Sequence, residues 1–249
     1  MFKRLAVFML ALVSCAPSAQ VGPQGKSLSV ATFSRGIAWG SGRTVYILQG
    51  PRFELEKISL PANLSGLAWW NEEVYASLPD ASWVIRVQGV SDVRPVGRAR
   101  ALSNNLIYLE NGGVLNPSGN SASYRFPGFI EDLLSVEGTD YVLASGKIYQ
   151  LQEGKTTFLR NSSDAFLYAV PNGVQTAAVP TVQVRNKQFV LQGQKVLLKD
   201  LQNEVLNTWS LPSQKECHLG VVYDQVMLVC KDGFFQRFDL ELNAVGSAK

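Results

Sequence analysis

Few of the residue types that build hydrolytic and metal centres occur in this chain. Its 249 residues include one histidine, His218, and three cysteines. A triad resting on imidazole would have to use His218, which has no identifiable partner to orient its ring. Neither a Gly-X-Ser-X-Gly elbow nor an acidic Asp-X-Asp-X-Asp calcium loop is present. Charge is sparse, at 17% of residues. The formal net charge of +3 includes Lys3 and Arg4; without these two, the 23 basic residues become 21 against 20 acidic ones, which leaves +1. That balance does not predict nucleic-acid binding. The apolar stretch Leu5 to Val13 falls far short of the roughly 20 residues that span a bilayer core. With 46% hydrophobic residues the chain is nevertheless too apolar to be disordered, and it is long enough to bury a large core in one or two domains.

What is present is punctuation. Val, Ile, Tyr, Phe and Trp recur in short runs bounded by Gly, Asn, Ser and Pro, the pattern of an all-β chain. Phe238, Leu240 and Leu242 alternate with Arg237, Asp239 and Glu241, which predicts one pleated strand with two unlike faces. One stretch argues for a helix, because Leu198, Leu201, Val205 and Trp209 recur at helical spacing. Lys195 to Leu198 and Leu206 to Leu211 both read as strands, however, and predict a hairpin turning near Gln202-Asn203.

The first fourteen residues form a short basic start, an apolar middle and a small residue, Ser14, which is a secretory leader layout. Leu12-Val13-Ser14-Cys15 resembles the lipobox of bacterial lipoproteins. The resemblance covers only the leader. It implies cleavage after Ser14 and lipidation of the Cys15 thiol, and two or three acyl chains anchor a protein far more firmly than one. The expectation is therefore an exported protein held on a membrane of the cell envelope, inner or outer. Residues 15–29, rich in Pro, Ser, Gln and Gly, read as the lipidated cysteine and a flexible tether, and residues 30–249 as the domain. With Cys15 lipidated, no four His or Cys ligands remain for zinc. No cofactor is implied.

Cys217 and Cys230 are left in a compartment where disulfides persist. If Tyr223-Asp224 is a two-residue hairpin loop, counting outward from Val222 and Gln225 sets Cys217 opposite Cys230, at about the 4.5 Å Cα separation of a non-hydrogen-bonded pair. This predicts a structural cross-strand disulfide. The loop dipeptide is not the favoured Asn-Gly or Asp-Gly, so a register one residue away stays open.

Arg35-Gly-Ile-Ala-Trp39 followed by Val45-Tyr46 aligns with Ser65-Gly-Leu-Ala-Trp69 followed by Val74-Tyr75, and Ile107-Tyr108 and Ile148-Tyr149 are weaker echoes. A meandering unit repeated in this way suggests an array of small sheets. The pattern resembles the β-propeller repeats of bacterial envelope proteins, generically and over roughly Val30 to Leu242. It implies about six small antiparallel blades, with a pair of β-sandwiches or a β-barrel as the alternative.

Two glycine-rich segments, Gly36 to Thr44 and Ala144 to Lys147, fail the spacing of a phosphate loop and read as hairpin turns. Glu72, Glu73, Asp80, Glu131, Asp132, Asp140, Asp164 and Asp224 are scattered, mostly beside turn residues, and read as solvated acids. Arg86, Arg94, Arg98 and Arg100 form the densest basic patch, with Asp92 the only acid among them, and could dock on anionic lipid or wall polymer. Trp39 and Trp69 sit at equivalent places in the repeat and read as core. Trp70, facing the other way on its strand, is the candidate exposed platform. Together these point to a non-enzymatic binding or scaffold module for a protein or glycan, with Trp70 and the four arginines as the partner surface. The alternative is a propeller-type hydrolase or lactonase whose carboxylates meet at the central channel.

Overall fold

The computed structural model describes residues 27–125 and 129–248. The leader, Cys15 and the tether as far as Lys26 lie outside the described residues. Strands follow one another in antiparallel meanders that form seven separate sheets, here called blades. Blade 1 contains β1 (Ser29–Phe33), β2 (Gly36–Ser41), β3 (Thr44–Gln49) and β4 (Glu54–Ser59). Blade 2 contains β5 (Gly66–Trp70), β6 (Glu73–Leu78), β7 (Trp83–Arg86) and β8 (Ser91–Pro95), and blade 3 contains β9 (Ala99–Leu102), β10 (Ile107–Leu109), β11 (Gly113–Leu115) and β12 (Ser121–Arg125). Blade 4 runs through β13 (Ile130–Val136), β14 (Thr139–Ala144), β15 (Lys147–Gln152) and β16 (Lys155–Asn161). Blade 5 has two strands among the described residues, β17 (Phe166–Val170) and β18 (Gly173–Ala177). Four return in blade 6, with β19 (Thr181–Val184), β20 (Lys187–Gln192), β21 (Lys195–Lys199) and β22 (Val205–Ser210), and in blade 7, with β23 (Cys217–Val222), β24 (Gln225–Cys230), β25 (Phe235–Phe238) and β26 (Ala244–Ala248).

The first strand of every blade lines one common axial cavity. Packing passes from β1 to β5 and on to β9, then from β13 through β17 and β19 to β23, which returns to β1. Blades 3 and 4 join through Ala101, Leu106 and Tyr108 against Ile130, Val142 and Ala144. The result is a ring of stacked sheets, a β-propeller. Stacking explains the composition of the strands. Inner and second strands are covered on both faces and read as continuous apolar runs, as in the wholly buried Gly-Leu-Ala-Trp-Trp of β5. Outer strands reach solvent and turn polar, as in Glu-Leu-Glu-Lys-Ile-Ser of β4.

Seven blades stand where the repeat spacing suggested about six. First strands begin at residues 29, 66, 99, 130, 166, 181 and 217, so five steps span 31 to 37 residues and one, across blade 5, spans 15. The 30-residue spacing of Gly36 and Gly66 proves to be offset by one strand. Gly36 to Trp39 lie on β2, a second strand, whereas Gly66 to Trp69 lie on β5, a first strand. The two segments look alike because both are wholly buried, β2 between blades 7 and 2 and β5 between its own neighbours. Leu28 and Ser29, read as the end of the tether, are already buried, and β1 opens at Ser29.

Among the described residues each blade is contiguous in sequence, so blades 7 and 1 meet with no exchanged strand, through side-chain packing and a hydrogen bond from the Tyr223 N–H to the Ser34 carbonyl at 3.3 Å. Ile37, Trp39 and Leu48 pack on Val222, Met227, Val229 and Phe235. The Trp39 Nε1–H donates to the Cys230 carbonyl at 2.9 Å. Gly220 on β23 permits the approach, since a Cβ there would lie 2.7 Å from Ile37 Cδ1 and 2.8 Å from Thr32 Cγ2. The hairpin at Tyr223-Asp224 pairs Val222 with Gln225 and Cys217 with Cys230, and the two cysteines form a disulfide with Cα atoms 4.0 Å apart. Both loop residues have positive φ, the conformation that matches strand twist in a two-residue hairpin. The Lys195 to Ser210 segment is also a hairpin, β21 to β22, closed by Asp200, which accepts the Gln202 and Glu204 N–H groups at 2.9 and 2.8 Å. The strand expected through Leu242 stops earlier, at Phe238. Asp239 accepts from the Glu241 and Asn243 amides and turns the chain there, and Leu242, at φ 64°, folds back into the core.

Candidate functional site

The axial cavity has a volume of about 660 Å³. It is lined by inner-strand residues of all seven blades, mostly Leu, Val and Ala interspersed with Ser, Thr, Asn and Gln. Inner strands are edge strands, and they turn one row of backbone groups toward the axis. Charged lining is limited to Asp132 and Glu137, with His218 as the only other titratable imidazole or acid. The Asp132 carboxylate accepts the Leu167 N–H of the next blade at 2.6 Å. His218 is half-buried, with Nδ1 2.7 Å from the Leu219 carbonyl oxygen and its ring 5.8 Å from that of Phe166. Cys217 faces the blade 6 side, among Val184, Phe189 and Leu219, so the alternation of the strand turns His218 the other way.

At one end of the channel Asn104 ties four blades together. Its side chain accepts from the Trp69 N–H at 3.0 Å and donates to the Thr32 carbonyl at 3.2 Å, while its own N–H donates to Ser135 Oγ at 3.2 Å. Beneath it lies a carboxylate that sequence reasoning placed in solvent. Asp140 is fully buried. It accepts from Asn105 Nδ2 at 2.7 Å, Tyr108 Oη at 2.7 Å, Ser135 Oγ at 2.8 Å and, in a very short contact, Ser103 Oγ. Burial pushes the Tyr108 phenol well above the usual tyrosine range, and the carboxylate beside it adds to the effect. The Ser103-Asn104-Asn105 turn supplies two of these four donors, Ser103 and Asn105.

The arginines come together differently from the expectation. The Arg86 guanidinium donates to Glu73 at 2.7 Å and to Ser91. Arg94 pairs closely with Asp92, donates to Tyr75 Oη at 3.2 Å and lies over the Tyr75 ring at 4.9 Å. Arg98 and Arg100 share Glu110, at 3.1 and 3.5 Å. All four cations are therefore met by carboxylates, and those that meet Arg86, Arg98 and Arg100 come from positions the linear patch does not contain. It is not a free cationic surface. Arg94 and Tyr75 hold the Asp92 carboxyl below its ordinary value, and burial followed by the Asp92 hydrogen bond raises the Tyr75 phenol.

Trp70 is not an exposed platform. It is buried, donates from Nε1 to the Ser103 carbonyl at 2.9 Å and packs on Tyr75 at 4.7 Å. It does face away from Trp69, but in a ring of stacked sheets that direction leads into the next blade. Trp69 donates across the opposite seam, to the Ala31 carbonyl at 3.0 Å. Trp83, 39% exposed, is the tryptophan that reaches solvent most. Both glycine-rich segments are hairpin turns, with Gly42, Ser145 and Gly146 at positive φ. The other acids are held singly: Glu72 by Arg35, Asp80 by Arg98, Asp224 by Arg185, Glu131 by the Gly146 N–H and Asp164 by Thr176 Oγ1. Among the described residues no three His, Cys, Asp or Glu side chains are grouped to hold a metal ion.

No protein-family model matches the chain, and no curated protein is significantly similar to it. Solved structures do match. BamB from Moraxella catarrhalis, a β-propeller, superposes with a TM-score of 0.53 over 84% of this chain and 83% of its own, at 11% identity. A chain of a mitotic checkpoint complex gives 0.42 at 10% identity over 99% and 89%. YCF48 bound to D1 peptide gives 0.41 at 11% identity over 90% and 84%. At such identity the likeness to BamB is one of fold alone.

Proposed function

We propose that this chain is an envelope lipoprotein, anchored through Cys15, whose propeller is a non-enzymatic binding or scaffold module for a protein or glycan partner. One observation carries the binding reading. The axial cavity draws on all seven blades yet is lined chiefly by apolar, hydroxyl and amide groups, and one of its two carboxylates already accepts a backbone N–H. Such a lining supports recognition by contact and hydrogen bonding, and the stacked sheets hold it rigid. The anchor rests on the leader layout and the box at Leu12 to Cys15.

Two measurements test this reading. Mass spectrometry of the mature N-terminus is expected to find an acylated Cys15, and an unmodified cysteine or cleavage elsewhere removes the anchor. For binding, a photo-crosslinking residue replaces Glu137 at the channel mouth, with Leu55 on the outer rim as control. A discrete adduct in intact cells is expected from Glu137 and not from Leu55. Identical products, or none, from both positions would refute a partner at the channel.

A further inference from the structure

Blade 5 leaves its second strand unpaired on one edge. In every other blade the second strand is bonded on both sides, whereas among the described residues β18 pairs only with β17. The register runs without a bulge from Val170 opposite Gly173 to Phe166 opposite Ala177. Closure by the two-residue loop Pro171-Asn172 makes residues 173, 175 and 177 the partners of β17, and directs the N–H and C=O groups of Val174 and Thr176 outward. Among the described residues only the Val174 carbonyl is met, by the Arg160 guanidinium at 3.0 Å. Exposed edges are ordinarily protected by charge, proline or a bulge. Gly-Val-Gln-Thr-Ala has none of these.

Among the described residues blade 5 has two strands fewer than its neighbours, and at about 4.7–4.9 Å per strand two further strands would fill a slot roughly 10 Å wide. Its walls are identifiable from strand alternation. Val196 and Leu198 of β21 pack toward blade 7, so Lys195, Leu197 and Lys199 face the slot. On the opposite wall Arg160 lies across from Ile148, which packs on Leu167 and Val174 of blade 5. Arg160, Lys195 and Lys199 form no ion pair among the described residues. Asp164, which precedes β17, accepts from the Thr176 hydroxyl at 2.8 Å.

We propose that the free edge of β18 is a docking site for an extended acidic segment of a partner protein, which adds antiparallel to it as the third strand of blade 5. Main-chain bonds to Val174 and Thr176 supply register, and the cationic walls supply the preference for glutamate or aspartate. The site is separate from the channel and independent of the membrane anchor.

The probe is a nine-residue peptide of alternating glutamate and valine, added to the full chain. Fluorescence anisotropy reports binding, and amide hydrogen exchange reports the edge. Saturating peptide is expected to slow exchange at Val174 and Thr176 at least tenfold. Lys195→Glu combined with Lys199→Glu is expected to weaken binding at least tenfold. The lysine counterpart of the peptide, and a version N-methylated at alternate residues, are expected not to bind. Absence of binding, equal binding of the lysine peptide, or indifference to N-methylation overturns the proposal. Val174 and Thr176 amides already protected before peptide is added would mean that another segment of the chain or a second copy holds the edge, with sedimentation separating the two, and would overturn it as well. None of these failures touches the crosslinking result at Glu137.

Discussion

Replacing Asp140 by alanine tests whether the seam between blades 3 and 4 depends on one buried carboxylate. The substitution leaves the donors of Ser103, Asn105, Tyr108 and Ser135 without their common acceptor. An orphaned buried donor costs about 1–3 kcal/mol. Ser103 retains the Leu106 carbonyl at 3.3 Å, and Asn105 and Ser135 are partly exposed, so water can replace the lost oxygen there. Tyr108, 1% exposed, is out of reach of water and keeps only its hydrogen bond with Ser103, so the largest share of the cost falls on this pair. The expected loss is about 3 kcal/mol, or about 6–12 °C in Tm at about 2–4 °C per kcal/mol for a domain of this size. Urea unfolding followed by the fluorescence of the five tryptophans measures it. Adding Tyr108→Phe removes the hydroxyl that has lost its carboxylate acceptor, so the double variant should recover at least about 1 kcal/mol relative to additivity. An Asp140→Ala midpoint unchanged from wild type, or strictly additive variants, would refute a carboxylate that holds the two blades.

Breaking the disulfide by Cys217→Ser, whose loop spans a sequence separation of 13, should destabilise the protein by about 3 kcal/mol, and reductant should reproduce the loss in wild type but not in the variant. Gly220→Ala inserts a methyl where Ile37 and Thr32 leave no room and should cost about 1–3 kcal/mol in chemical denaturation; a wild-type midpoint would show that the seam relaxes freely. The folded state depresses the Asp92 pKa, so its contribution is present above the unfolded value of about 3.9 and is lost as pH falls through the lower folded value. Asp92→Asn should therefore flatten the acid limb of a Tm–pH curve. At the other extreme Tyr75 and Tyr108 titrate higher in the folded state, so their contribution holds below about pH 10 and fades above it. Tyr108→Phe should flatten that alkaline limb.

Local pairing was legible in the chain, and packing between blades was not. Counting from Tyr223-Asp224 found the disulfide because pairing in a two-residue hairpin depends only on sequence separation. The hairpin from Lys195 to Ser210 prevailed over its helical spacing for a related reason: strand residues covered a blade face on both sides of a capped turn. Blade boundaries stayed hidden because a second strand, β2, and a first strand, β5, are both wholly buried around their tryptophans, which let Trp39 align with Trp69. Trp70 and Asp140 were misplaced by the same oversight, since alternation gives the direction of a side chain but not whether solvent or another sheet lies there. The acids that neutralise Arg86, Arg98 and Arg100 are brought in by the fold from outside the linear patch.

A circle closed without an exchanged strand has a clasp. The Cys230 carbonyl that receives the Trp39 indole belongs to a residue already locked to Cys217, so oxidation and fastening converge on one β-hairpin. Nothing can meet β1 there until the seventh blade exists and has folded. The apolar flank of the first blade stays uncovered until the last one arrives, and in a reducing environment the hairpin that covers it lacks its covalent lock.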